Sequence, residues 1–170
     1  MPMNIFVLDT DPRRAAEYHA DKHVVKMAVE YSQIMSTVAR HAGASEPWVA
    51  EMYRPTHEKH PCVGWAAHAK NFEWLMDLAH WTGKEYTHRY GKIHKSSGLV
   101  PMFRDWYACE GKSLMLKGRT PWVQAMPDEY KGPDAVRAYR TYYTHGKEGI
   151  VAWAKARPTP WWYTKGGGHG

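Results

Sequence analysis

Cysteine is scarce in this 170-residue chain: two residues, Cys62 and Cys109, in unrelated contexts and without a CxxC pair. A disulfide framework and a cysteine-based zinc site are therefore unsupported, and a single disulfide stays open. No apolar run approaches the ~20 residues that span a bilayer, so no membrane association is expected. The first residues lack a basic leader before an apolar stretch, which points to a cytoplasmic protein. The chain has no GxSxG elbow, no P-loop, no GxGxxG and no HExxH. Serine hydrolysis, nucleotide-dependent phosphoryl transfer, dinucleotide binding and metalloprotease chemistry lose their usual signatures. Acidic residues are outnumbered, 17 against 23 Lys and Arg, giving a net charge of +6 and a pI near 9.3.

Excess positive charge favours polyanions, of which nucleic acid is the commonest in a cell. Phenylalanine is also rare, three residues against nine Trp and eleven Tyr. Trp and Tyr join a flat stacking surface to a polar edge, which suits bases; the same residues can simply fill a helical core.

Asn4–Leu8 reads as a short strand, ended by Asp9-Thr10-Asp11-Pro12. Asp11 followed by Pro12 is a helix start, an acceptor at the cap and proline at the first helical position. From there apolar rows predict one buried helix to about His41, before Gly43. Residues 43–60 read as a loop. Pro61 opens a second helix to about Tyr90, before Gly91, and a third is expected near Leu99–Cys109. Residues 111–132 are irregular, and a last helix is expected from Pro133 to Ala156. The expected fold is mainly α: a single-domain irregular bundle of three to four helices with a short N-terminal strand, spanning residues 1–165, with 166–170 as a flexible tail.

Asp21-Lys22-His23-Val24-Val25-Lys26 is the most informative segment. At helical spacing His19, Lys22, His23, Lys26 and Glu30 fall on one polar stripe. Asp21 points toward Val24, Val25 and Ala28, where a carboxylate is costly to ionise unless paired. Such a group makes a general acid or base; alternatively the stripe is a solvated face and Asp21 caps or pairs nearby. Lys22 and Lys26 lie beside other cations, which lowers an amine's pKa and frees its lone pair. Pro2 would expose a secondary amine once Met1 is removed. Arg54, His57, Lys59 and His60 precede Pro61, where a helix start and positive side chains suit a phosphate, unless His60 or Thr56 merely caps the helix. His19 and His23 have usable ligand spacing without a third ligand, so neither metal nor cofactor is expected. Trp161, Trp162 and Lys165 form an aromatic, basic ending that could stack on nucleic acid or anchor the terminus.

Asp21-Lys22-His23, Lys59-His60-Pro61, Arg89-Tyr90-Gly91 and Pro160-Trp161-Trp162-Tyr163 occur in an order that resembles the pyrimidine-dimer DNA glycosylases of the endonuclease V type. Asp21 to Met27, His60-Pro61-Cys62, Arg89 to His94 and Gln124 to Glu129 resemble a group of small phage proteins. A related helical domain belongs to phage enzymes that hypermodify thymine. The glycosylase resemblance implies an N-terminal amine that attacks the sugar C1′, here Pro2, and a first-helix carboxylate, here Asp21; beside them His23 or Lys22 is expected to transfer a proton or contact phosphate. His19, Lys26, Arg54, His57, Lys59, His60, Trp161, Trp162 and Lys165 would hold DNA. Where the family has a primary amine this chain has proline, and where it has Glu this chain has Asp. The expected activity is excision of an extruded, modified or damaged pyrimidine from DNA, with strand cleavage if an amine forms a Schiff base. The alternatives are a transferase acting on 5-hydroxymethyluracil in DNA, and a basic DNA-binding or host-interaction protein without chemistry.

Overall fold

The computed structural model describes residues 3–114 and 118–164, and the chain is mainly helical. Helix α1 spans Pro12–Tyr18, with Asp11 accepting the Arg13 N–H at 2.9 Å as its cap. The central helix α2 runs Asp21–His41, and α3 is a single turn at Trp48–Glu51. Next come α4, Pro61–Ala66, and the long α5, Ala69–Tyr90. Gly91 closes α5 at φ +71° and returns its N–H to Thr87, a left-handed cap that glycine adopts without strain. Helix α6 spans Leu99–Glu110, close to its expected bounds, and α7 is Ala135–Thr141, continued by a π turn at Tyr142–Gly146. Gly83 of α5 lies so near the Lys95–Gly98 turn that a Cβ there would stand 2.6 Å from that of Ser97. The buried apolar side chains of α2, α4, α5 and α6 form one cluster.

The long helices expected from periodicity are interrupted. Asp11–His41 is two helices, because His19 and Ala20 are extended (ψ 135° and 155°). Arg89, whose side chain is fully buried, takes the freed carbonyls: its Nη1 donates to His19 O at 2.7 Å and its Nη2 to Glu17 O at 2.8 Å. Trp153 Nε1 takes Tyr18 O at 2.9 Å. Pro61–Tyr90 breaks at Ala67 and His68, where Asn71 Nδ2 captures Trp65 O at 2.8 Å. The last helix ends at Gly146 rather than Ala156, followed by irregular chain and Gly149 at φ +83°.

The N-terminal strand is absent: among the described residues there is no strand at all. Met3–Leu8 is instead an irregular segment, buried along its whole length. No neighbouring strand takes its polar groups, and buried backbone must pair somewhere. Side chains supply the partners. Glu30 accepts the Asn4 N–H at 2.9 Å, the Tyr31 hydroxyl accepts the Phe6 N–H at 3.2 Å, and Arg140 Nε donates to Leu8 O at 2.9 Å. Asn4 Nδ2 donates to Ala125 O at 2.8 Å, and the Tyr139 hydroxyl donates to Asn4 Oδ1 at the same distance.

Arg89 also donates Nε to Glu85 at 2.7 Å and Nη1 to Asp21 at 3.1 Å. Removing one member of a buried ion pair leaves the other charge stranded. Arg89→Met is therefore expected to lower unfolding free energy by about 3–5 kcal/mol, read from urea denaturation. A loss below about 1 kcal/mol, the scale of an exposed pair, would mean that the network does not hold the α1–α2 junction.

Candidate active site

Glu30, on the third turn of α2, stands where the N-terminal segment meets that helix and is 8% exposed. Its Oε1 accepts the Asn4 N–H, and its Oε2 lies 3.7 Å from Lys26 Nζ. Burial raises its carboxyl above the ordinary value, against the opposing pull of the Asn4 N–H, Lys26 and His57. Lys147, just past the π turn, is 7% exposed. Burial lowers its pKa; Lys26 adds to this by like charge and Glu30 opposes it. A carboxyl raised by burial, a half-exposed lysine and a buried lysine thus share one electrostatic neighbourhood, with His57 at its edge. Acid–base work needs such pairs, in which environment pushes the ionisation of neighbouring groups away from the ordinary.

Behind this cluster lies a buried aromatic wall. Phe6 stacks on the His23 ring at 4.4 Å and 15°. The Tyr143 hydroxyl bonds His23 Nδ1 and accepts the Ala20 N–H at 3.2 Å. His19 is completely buried, its Nδ1 2.6 Å from Ala15 O and its Nε2 2.7 Å from the Tyr31 hydroxyl. A carbonyl only accepts, so Nδ1 carries the hydrogen and Nε2 accepts from Tyr31. Burial lowers His19 to about 4 and His23 to about 2, the latter helped by His19, Lys147 and Lys26. Both rings are neutral at pH 7 and serve as scaffold under the site.

The structure separates the residues that the sequence placed together. Asp21 is built into the Arg89 network: one oxygen meets Arg89 Nη1, and the other accepts the Ala154 N–H at 2.7 Å. The bland reading of Asp21, pairing nearby, describes this geometry. His19 cannot touch a ligand, since it is buried and both nitrogens are engaged. The polar stripe is therefore largely an inward face; of it Lys22 is exposed and Lys26 half-exposed.

Arg54, His57 and Lys59 are exposed. His57 sits at φ +49°, its Nδ1 2.8 Å from Thr56 Oγ1, while His60 caps α4 by accepting the Cys62 N–H at 3.0 Å. Helix α4 has six residues and its first N–H is thus already taken. Trp161 and Trp162 line a separate open groove of ≈ 390 Å³ with Arg137, Arg140 and His145, where Trp161 is 78% exposed and Arg140 lies 5.4 Å from its ring. Pro2, Lys165 and the 166–170 tail lie outside the described residues.

Glu30 as a site group, Lys147 and Arg89 were not legible in the sequence. The only local signal was the Lys26/Glu30 spacing, which is also what an exposed helix pair shows. Cys62 and Cys109 are both free, and burial pushes the Cys62 thiol up to about 12, so it is inert at neutral pH. Among the described residues no three His, Cys, Asp or Glu side chains gather as metal ligands would, and no helix is long and apolar enough to cross a membrane.

The two buried histidines set a pH dependence. Unfolded, each binds a proton near 6.5; folded, neither does so until far lower. Stability is thus full above pH 6.5 and falls below it, by about 1.4 kcal/mol per pH unit for each histidine. Glu85, held below its ordinary value by Arg157 and Arg89 despite burial, adds to the acid loss, and Glu30, raised, opposes it. Between pH 6.5 and 5 the unfolding free energy is expected to fall by about 3 kcal/mol, measured by urea titration. A flat profile would mean that the histidines are protonated in the fold.

Compared with known proteins, the chain matches no family model, no curated protein and no solved structure.

Proposed function

We propose that the protein is a DNA-acting enzyme that excises a modified or damaged pyrimidine, with Glu30 as its working carboxylate. The observation that carries this reading is the buried Glu30, bonded to the N-terminal segment at Asn4 and edged by Lys26, Lys147 and His57. Breaking the bond between C1′ and the base nitrogen leaves positive charge on the sugar, which a nearby carboxylate stabilises. Glu30 takes the proton of the water that adds at C1′; the base leaves with the bonding electrons and is protonated by solvent. Lysines on the rim meet the flanking phosphates, and the net charge of +6 supports the same partner. The resemblance assigned the carboxylate to Asp21; Glu30, about two and a half turns further along α2, is the one bonded to the N-terminal segment, while Asp21 belongs to the Arg89 network. The reading takes the chain as one catalytic domain working in the cytoplasm.

Excision is tested with plain, ultraviolet-damaged and 5-hydroxymethyluracil oligonucleotides, followed by nucleoside mass spectrometry. Glu30→Gln is expected to lower base release ~10²–10⁴-fold while keeping the melting temperature within a few degrees. Asp21→Asn is expected to lower the melting temperature more than the rate. An altered base mass on an intact strand would replace excision by group transfer. No change on any substrate would leave a basic DNA-binding protein.

A further inference from the structure

Ile93 is 79% exposed, more than any other large apolar side chain among the described residues. It lies in the loop between α5 and the Lys95–Gly98 turn, flanked by the exposed Lys92 and Lys95. The loop is pinned on both sides of it. Gly91 enters at φ +71° with its N–H on Thr87 O at 2.9 Å. His94 Nε2 donates to Val25 O at 3.2 Å, its Nδ1 accepts the Ser96 N–H at 3.1 Å, and its ring meets that of Tyr86 edge-on at 4.8 Å. Ser97 Oγ returns to His94 O at 2.7 Å. The fold thus spends several hydrogen bonds holding an apolar side chain in water, where it gains nothing from the core.

Beside this tip, α5 and α6 enclose an open groove of ≈ 350 Å³ that Ile93 helps to line. Val100 and Pro101 are among its apolar lining, and His80, Lys84 and Arg104 supply its titratable groups. No Asp or Glu is among the described residues lining it. Arg104 pairs with Asp77 at 3.1 Å outside the lining, while Lys84 makes no ion pair to a described residue. A cationic groove with no acidic lining calls for a polyanion. The isoleucine decides which one. Even a single myristoyl chain holds a protein to a bilayer only reversibly, and one isoleucine buries far less apolar surface. One apolar side chain is enough, however, to enter a base step from the minor groove of DNA, and isoleucine is among the residues that do so.

We propose that Ile93 is a wedge that enters the minor groove of duplex DNA and unstacks one base step, while the α5–α6 groove carries the adjoining backbone on Lys84 and Arg104. This rests on the reading that the partner is DNA and not on the excision chemistry. The bond from His94 to Val25 sets the tip beside the stretch of α2 that carries Lys26.

An undamaged duplex with 2-aminopurine in a central TA step, a step that unstacks easily, makes excision unnecessary. Its fluorescence rises when the base unstacks, and anisotropy reports binding separately. Wild-type protein at saturation is expected to raise the fluorescence. Ile93→Ala, with an unchanged circular dichroism spectrum, is expected to lose most of that rise at saturation, and Ile93→Met to keep it. Lys84→Ala is expected to reduce the slope of log affinity against log salt by about one. An undiminished rise in Ile93→Ala overturns the wedge, and an unchanged salt slope in Lys84→Ala overturns the role of the groove. Binding by wild-type protein without any rise overturns the wedge and leaves the DNA reading standing. No binding to any duplex overturns both, and sedimentation with phosphatidylserine vesicles that Ile93→Ala abolishes would then assign the tip to a membrane. A rise that depends on Ile93, without base release from any damaged substrate, upholds the wedge and removes excision.

Discussion

The Arg89 guanidinium ends one helix and begins another while anchored to a third. Its donors reach the last carbonyls of α1, the first carboxylate of α2 and, one turn back on its own helix, Glu85. Burying a guanidinium is tolerable only when its donors are matched, and here carbonyls and carboxylates match them. The direction of α2 as it leaves this junction decides which of its faces meets the N-terminal segment. Lys26 and Glu30 take their places from that geometry, so the candidate site stands on an ion-pair network that it does not touch.

Much of the helical layout is written locally. Asp11-Pro12 and Pro61 mark helix starts, Gly91 marks a stop, and the third helix lies where the apolar pattern puts it. The breaks are not local. His19 and Ala20 carry no glycine or proline to announce an interruption; the cause is an arginine 70 positions further on. Asn4–Leu8 has the composition of a strand, yet its partners are side chains of α2 and of the α7 region. The proposed site was legible as a zone of α2, but not residue by residue. Glu30 looked like half of an exposed pair with Lys26 because its defining contact, Asn4, is 26 positions away. Lys147 had no signal, since its burial comes from Phe6 and Tyr142.

Chemistry and support are divided between two layers. His19, His23, Tyr31 and Tyr143 lie in a neutral hydrogen-bonded layer, close-packed and poor in exchangeable charge. Glu30, Lys26, Lys147 and His57 lie outside it and carry the charge of this region. A scaffold whose imidazoles stay uncharged adds no further cation behind the lysines.

The buried course of Met3–Leu8 has a consequence for how the chain is made. Its partners include Ala125, Tyr139 and Arg140, all far along the sequence. Contacts of such separation slow folding, because loop closure precedes any gain. During synthesis the first apolar residues emerge long before the side chains that satisfy their backbone. Until about residue 140 has left the ribosome, that segment lacks these partners, and its backbone is satisfied only as α7 closes over it.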